Sequence, residues 1–336
     1  MSSEPNAAPK LVEVAAGLII DREGRLLLGQ RPQGKPYAGW WELPGGKLEP
    51  GEDALTALAR ELDEELGIQV TEATPWITHV HAYSHATVRL EFCRVTGWRG
   101  EPRGLENQRL AWVDPRQDID VLQAGLGEGQ LLPATLPPLA WMQVPDTLVI
   151  GGIGTPAGLA GHLARVERAL RAGVRLFQFR EPDWPEGPQA ASLHAALQAL
   201  LGVARAQGAR VLVNSAHPLA WANEADGLHL RSADLALGRP EGLAAHAWLG
   251  ASVHDADQIA QARALGARYA VLGPVLATPT HPQAEPLGWA RFAALREHAG
   301  LPLFALGGQG LATRDEARRQ GAHGIAGIRL LAELGG

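Results

Sequence analysis

The sequence predicts two domains in series: an α+β domain, a mixed sheet with docked helices, followed by an α/β domain of the (β/α)₈ barrel class. Three observations carry this. From Thr147 onward, eight short apolar runs alternate strictly with helical patterns, as in a parallel sheet wound by crossover helices. Before that point, extended runs surround one amphipathic stretch, Gly46 to Ile68, so strands and helix do not alternate. Between the two, Gly125 to Asp146 contains Pro133, Pro137, Pro138 and Pro145, and 336 residues agree with two domains. The expected domains are 1–143 and 147–336, with Gln143 to Asp146 as a short linker.

In the first domain, Leu11 to Ile20 and Arg25 to Gln30 read as strands about the turn Asp21 to Gly24. Arg31 to Gly39 is a loop broken by Pro32, Pro36 and Gly39, and Trp40 to Leu43 leads into Pro44-Gly45-Gly46. Pro50 and Gly51 hold the loop entering the helix, and Glu52 and Asp53 are expected in its first turn, where acids suit the positive end of the dipole. Ala54, Leu55, Leu58, Ala59, Leu62 and Leu66 recur at helical spacing, and Gly67 is placed for a left-handed cap. Strands are expected at Trp76 to Tyr83 and Ala86 to Thr96, joined at Ser84-His85. A polar loop from Trp98 to Asn107 and a last strand, Leu110 to Val113, follow, and Thr135 to Trp141 closes the domain as a short helix.

In the second domain the expected strands are 147–150, 175–179, 210–214, 227–230, 248–252, 269–272, 302–306 and 324–328. The expected helices are 159–172, 190–206, 216–223, 241–247, 256–265, 289–298, 312–320 and 329–334. In such barrels function sits at the C-terminal strand ends. Polar residues stand there: Gln178 and Arg180 at the second strand, Asn214 at the third, Ser252 and His254 at the fifth. Gly307-Gly308 follow the seventh strand and Gly327-Ile328 close the eighth, where freed backbone N–H groups can cradle a phosphate.

The net charge of −6 and the lack of a basic tract argue against direct nucleic-acid binding but suit a free nucleotide held through a metal. The single cysteine, Cys93, has no internal partner, which points to a reducing compartment. Met1 to Pro9 lack an apolar signal core and no apolar run reaches spanning length, so a cytoplasmic protein with no membrane association is expected. No Cys/His cluster has zinc spacing.

The chemistry is concentrated on the predicted helix. Glu61, Glu64 and Glu65 stand at i, i+3 and i+4, so their carboxylates are expected to converge, in the last turns where the dipole disfavours negative charge. Only Arg60 is at hand to neutralise them. A divalent cation removes the conflict, because Mg²⁺ takes carboxylate oxygens, keeps waters and holds substrate phosphates. Gly46, Glu52, Arg60, Glu61, Leu62, Glu64, Glu65, Gly67 and Ile68 fit the spacing Gly-x5-Glu-x7-Arg-Glu-aliphatic-x-Glu-Glu-x-Gly-aliphatic, which resembles the Nudix box. Seven of these positions demand one residue type, so chance gives on the order of one match in 10⁸ windows.

The resemblance extends over residues 11–143. Gln30-Arg31, Trp41 to Lys47 and Trp98 to Pro102 are similar to the MutT branch of the Nudix hydrolases. That branch implies a Nudix fold and Mg²⁺-dependent hydrolysis, with Mn²⁺ as the alternative ion, of oxidised purine nucleoside triphosphates such as 8-oxo-dGTP to the monophosphate and pyrophosphate. It implies metal ligation by Glu61, Glu64, Glu65 and the Gly45 carbonyl, with Glu106 as a further carboxylate. Arg31 is implied to meet the nucleotide beside Gly45 and Gly46, and Arg60 to orient Glu64. The water's proton goes to Glu61, Glu64 or Glu106. Leu43 stands where MutT proteins often have Phe, and Thr135 where they have the Asn that reads the oxidised base edge. Trp40 and Trp41 are the nearby aromatics that could replace the lost stacking.

Residues 147–334 resemble the thiamin phosphate synthase/TenI superfamily. The matching stretches are Gln178 to Glu181, Gly227 to Leu230 with Asp234, Ser252-Val253-His254, Gly273 to Val275 with Thr278-Pro279-Thr280, and Gly307-Gly308. The synthase joins a pyrimidine methyl diphosphate to a thiazole phosphate using Mg²⁺. Pro182, Ser215 and His281 replace a Lys, a metal-binding Asp and a second Lys of that pattern, so loss of synthase activity is expected. The resemblance then implies a TenI-like role, ligand binding or thiazole tautomer interconversion. His254 is either its proton-transfer group or a structural hydrogen bonder. A rival function for the whole chain is Nudix hydrolysis of thiamin-pathway diphosphates, with the barrel as tautomerase or phosphate-ligand sensor.

Overall fold

A computed structural model describes residues 11–83, 86–278 and 285–334. Ser84-His85, Pro279-Thr280 and His281 lie outside the described residues, as do Met1 to Pro9. The chain divides into two compact units that meet between Gln143 and Val144.

The first unit holds two small sheets. One has the order β4 (Gly45–Lys47), β1 (Leu11–Ile19), β6 (Thr87–Arg99), β5 (Gln69–Ala82); the other is β3 (Trp41–Glu42), β2 (Leu26–Gln30), β7 (Leu110–Val113). The β1–β6 pair is parallel and the remaining pairs are antiparallel, the expected mixed sheet. Helix α1 (Ala54–Leu66) docks on the first sheet, packing Ala57, Leu58, Leu62 and Leu66 on Ala15, Ile19 and Val95. Asp53 is its N-cap rather than a first-turn acid: the carboxylate accepts the Thr56 N–H at 2.8 Å, which satisfies an orphan donor. Glu52 precedes the helix. Gly67 takes the left-handed cap at φ 67°, ψ 28°.

Three elements depart from expectation. Gly45-Gly46-Lys47 is a strand, in register with Ala16, Ala15 and Val14. Strand β5 starts at Gln69, seven residues before Trp76, because β-bulges around Glu72 and Pro75 let it tolerate proline. Trp98 and Arg99 belong to β6, not to the loop. Two short helices, α2 (Ile119–Gly125) and α3 (Leu136–Met142), follow, the second after a 3₁₀ turn at Pro133–Thr135.

The second unit is a closed barrel of eight parallel strands: β8 (Thr147–Ile150), β9 (Leu176–Phe179), β10 (Arg210–Asn214), β11 (Gly227–Leu230), β12 (Trp248–Val253), β13 (Tyr269–Leu272), β14 (Leu303–Leu306) and β15 (Gly324–Gly327). Alternate side chains fill its interior, among them Leu148, Leu176, Leu212, Tyr269, Val271 and Phe304, while Val149, Phe177, Val211 and Leu228 pack outward under the helices. These helices are α4 (Leu159–Arg171), α5 (Ala191–Arg205), α6 (Leu219–Glu224), α7 (Ala256–Ala264), α8 (Gly288–Arg296), α9 (Arg314–Arg319) and α10 (Leu330–Glu333). The helix expected at 241–247 is absent. Gly242 is at φ +87°, and the Asn223 side chain takes the Gly242 carbonyl and the Ala244 N–H at 2.9 Å each, which fixes a turn.

Of the residues expected to link the domains, Gln143 belongs to the first unit and residues 144–146 are built into the barrel unit. Val144 is buried in the barrel interior, and its carbonyl meets His323 Nε2 at 2.7 Å. The Asp146 carbonyl accepts the Ile325 N–H at 3.0 Å, and its carboxylate pairs with Arg318.

Candidate functional site

The acidic face of α1 is organised by Arg60. Its Nε and Nη2 donate to the two carboxylate oxygens of Glu52 at 3.0 Å each, and Nη1 donates to Glu61 at 2.9 Å. Nη1 also lies 3.5 Å from Glu64, and Nη2 reaches the Lys47 carbonyl at 3.1 Å. Arg60 therefore holds Glu52 and Glu61 in addition to its i,i+4 pair with Glu64. The guanidinium beside it holds the Glu52 carboxyl below the usual range.

Glycine lets this face close against the sheet. A Cβ on Gly46 would lie 2.0 Å from the Glu61 carboxyl carbon, and one on Gly45, at φ +142°, would lie 2.2 Å from the Ala15 carbonyl oxygen. Gly45 is thus required by its conformation and by the backbone it meets, whereas a Cβ on Gly46 would displace the Glu61 carboxylate.

Glu65 belongs to a second cluster. Residues 103–108 lie along the C-terminal end of α1: the Arg103 N–H donates to the Leu66 carbonyl, and the Leu105 N–H and Gln108 Nε2 donate to the Glu65 carbonyl, all at 3.0 Å. The orphan carbonyls of the helix end thereby fix the loop. This brings Glu106 into one cavity with Glu65, Glu42 and Lys35. Lys35 Nζ donates to Glu106 at 2.6 Å, and Arg31 pairs with Glu42 while donating to the Pro36 carbonyl at 2.7 Å. Burial pushes the Glu65 carboxyl up to about 7, against Lys35 and reinforced by Glu106, Glu61 and Glu42. Burial also raises Glu42.

The three helix carboxylates are therefore split, Glu61 and Glu64 on the Arg60 side and Glu65 on the Glu106 side, rather than converging. Among the described residues no three His, Cys, Asp or Glu side chains gather closely enough to hold a metal ion by themselves. A Mg²⁺ ion nevertheless fits the donor set, because it takes one or two carboxylates and completes its shell with water and substrate phosphate. Burial first, and then the neighbouring Glu106, Glu61 and Glu42 carboxylates, raise Glu65, so positive charge is favoured there.

The two residues expected to meet the base do not present a surface to it. Leu43 is 6% exposed and Thr135 3%, because the run from Leu131 to Ala134 packs beneath β3. Trp41 is likewise core. A row of half-buried rings stands nearby instead: Trp40 and Tyr37 with centroids 5.2 Å apart, Tyr37 and Tyr83 at 5.7 Å, Tyr83 and His81 at 4.4 Å. It joins a loop to His81 of β5 and to Tyr83 just past the end of that strand, so no local pattern announces it.

At the barrel mouth, Gln178 and Asn214 are buried and face each other, Asn214 Nδ2 donating to Gln178 Oε1 at 3.4 Å. Ser252 Oγ meets His229 Nε2 at 3.0 Å, and His229 Nδ1 meets the Tyr269 hydroxyl at 3.2 Å. Burial pulls the His229 imidazole down to about 3, so it is neutral. His254 is exposed and Nδ1 meets the Gly273 carbonyl at 2.6 Å, which leaves Nε2 outward. Arg180 and Ile328 line one cavity with Gly151, Gly152 and Glu181. The Glu181 carboxylate accepts the Ile153 and Gly154 N–H groups at 2.8 and 3.0 Å, filling a backbone nest with the chain's own anion. Gly307 and Gly308, at φ +91° and +64°, are pressed on Pro274 and Leu276, so packing alone requires them.

The barrel does not fit a Mg²⁺ site. Asp234 accepts from Ser215 Oγ at 2.5 Å and from Arg231 Nε at 2.7 Å, so its carboxylate is already paired with a guanidinium. Arg231, Glu42 and Lys35 are the contributors to which motif reading gave no role.

The model of the family described as thiamine monophosphate synthase matches residues 150–331, and that of the NUDIX domain matches residues 15–124. CTP pyrophosphohydrolase of Escherichia coli (strain K12) is 40% identical over 110 residues, 33% of this chain and 81% of that protein. The 8-oxo-dGTP diphosphatase of Proteus vulgaris is 42% identical over 92 residues, 27% of this chain and 82% of its own. Thiamine-phosphate synthase of Chloroflexus aurantiacus is 34% identical over 176 residues, 51% of this chain and 80% of its own. Among the described residues no helix is long and apolar enough to cross a membrane.

Proposed function

We propose, for a chain that belongs to the Nudix family through its first domain and to the thiamine monophosphate synthase family through its second, that the first domain hydrolyses nucleoside triphosphates to monophosphate and pyrophosphate. Oxidised purine nucleotides such as 8-oxo-dGTP are the substrates, in sanitation of the nucleotide pool. The observation that carries this is the Arg60-held pair Glu52–Glu61 set against the Gly45-Gly46 strand, beside a cavity shared by Glu65, Glu106 and Glu42.

Glu61, Glu64, Glu65 and Glu106 with the Gly45 carbonyl would hold Mg²⁺, which would supply charge neutralisation at phosphate oxygens and a more acidic water. The chain does the rest. Water attacks phosphorus, the anhydride P–O bond breaks, and pyrophosphate leaves with the bonding pair. An ionised carboxylate takes the water's proton; Glu61 and Glu64, both paired with Arg60, and Glu106 are the groups placed for it. Arg31, fixed by Glu42 and Pro36, faces the nucleotide. The base stacks on the Tyr37–Tyr83–His81 row, since Leu43 and Thr135 are buried.

The barrel keeps a phosphate-ended ligand at the Arg180 mouth without forming the synthase metal site. Pyrophosphate release by the whole protein from 8-oxo-dGTP, CTP and a thiamin-precursor diphosphate, assayed side by side, tests the reading. Faster turnover of the thiamin compound would replace it with the rival, a Nudix enzyme serving the barrel's own pathway.

A further inference from the structure

Lys35 is the one side-chain cation reaching Glu106 among the described residues. It lies on the loop between β2 and β3, which is pinned near its ends: the Arg31 N–H donates to the Trp40 carbonyl at 2.8 Å and the Gly39 N–H to the Arg31 carbonyl at 2.9 Å. Arg31 Nε holds the Pro36 carbonyl, so the loop has a fixed path while the Lys35 stem is nearly half exposed and free to swing. Its ammonium donates to Glu106 at 2.6 Å inside the cavity that also holds Glu65 and Glu42. Arg31 already pairs with Glu42 and Lys35 with Glu106, so of the three carboxylates lining that cavity Glu65 alone has no ion-pair partner among the described residues. A divalent cation entering beside Glu65 and Glu106 repels the ammonium, while a polyphosphate entering with it attracts the same group.

We propose that Lys35 is an exchange counter-ion: it neutralises Glu106 until a divalent cation arrives, then swings its ammonium onto the substrate polyphosphate. This rests on the hydrolase reading above and adds a residue to it. Lys35 thus opposes metal binding to the empty protein and favours binding of the metal–nucleotide complex. Those two effects have opposite signs, whereas a merely structural lysine would shift both the same way.

The test is Mn²⁺ binding to the full chain without nucleotide, followed by electron paramagnetic resonance, with KM for the Mg²⁺ complex of a hydrolysed nucleotide measured in parallel. Lys35→Ala and Lys35→Gln are compared with wild type. Both variants are expected to bind Mn²⁺ about three- to tenfold more tightly, as loss of a partly exposed ion pair allows. Both are expected to raise KM by a similar factor. The gain should vanish in a Glu106→Gln background, because the pair is already broken. Unchanged or weaker Mn²⁺ binding in both variants overturns the proposal while leaving the metal-site reading intact. Absence of Mn²⁺ binding in wild type and variants alike overturns both.

Discussion

The Glu61 carboxylate is packed against the Cα of Gly46: a Cβ there would fall 2.0 Å from its carboxyl carbon and 2.2 to 2.3 Å from its oxygens. A helix side chain is thereby positioned by a strand that lacks one. Gly46→Ala must push Glu61 away from Arg60. An expected loss of about 10²-fold in kcat/KM corresponds to a displacement near 1 Å. Because only the tip of a flexible side chain is displaced, stability should change by less than about 1 kcal/mol. Steady-state kinetics with a thermal melt check both, and full activity in a folded variant would dismiss the contact.

Arg60 holds three carboxylates, Glu52, Glu61 and Glu64. Arg60→Ala should lower metal affinity or activity about 10- to 100-fold, the usual effect of losing a group that orients ligands. Titration with Mg²⁺ separates the two, since excess ion should restore part of the rate.

Glu65 gives the metal-free protein a pH dependence. Its carboxyl rises from 4.5 to about 7 on folding, so between these values the folded protein keeps a proton that the unfolded chain has released. This group's contribution to stability is present below about pH 4.5 and is lost as pH rises through 7. Glu65→Gln should remove that loss and also abolish Mg²⁺-dependent hydrolysis. Denaturant unfolding with EDTA from about pH 5 to 8 compares the slopes; parallel profiles for wild type and variant would discount the raised carboxyl.

Asp234 is already neutralised by Arg231. Thiazole phosphate binding measured calorimetrically should be unchanged by EDTA, and no thiamin phosphate should form from the two synthase substrates. A heat that appears only with Mg²⁺ would contradict the ion-pair assignment.

His229 bridges Ser252 and Tyr269 in the barrel interior. His229→Ala leaves a cavity and two polar groups without this partner and should cost about 2–4 kcal/mol. Tyr269→Phe should cost about 1 kcal/mol, since only the hydroxyl goes. Calorimetric unfolding of both variants measures the ranking.

The barrel was legible almost residue by residue because each buried parallel strand is a short apolar run between helices. Thr147–Ile150, Arg210–Asn214 and Tyr269–Leu272 begin and end where that pattern places them. The first domain was legible in its helix, where Asp53 and Gly67 cap a clear stripe. Strand β5 was half hidden because Pro75 stands at a bulge, which only the partner strand explains. The split of Glu61 and Glu64 from Glu65 could not be read from helical spacing. It depends on Arg60 on one side and on a loop forty residues away that borrows the Glu65 carbonyl. Lys35, Glu42 and the Tyr37–Tyr83 contact were hidden for the same reason, since each partner comes from a different part of the chain.

The stitching of Val144 to Asp146 into the barrel bears on how the second domain can be cut out. A Cβ on Gly324 would lie 1.8 Å from the Asp146 carbonyl oxygen, and that carbonyl anchors the strand that closes the ring. A fragment begun at Thr147 would surrender this anchor, the Arg318 partner and the plug that Val144 supplies to the interior, all at the seam between first and last strands. Starting three residues earlier keeps the ring zipped, so the true edge of the second domain is the valine and not the first strand.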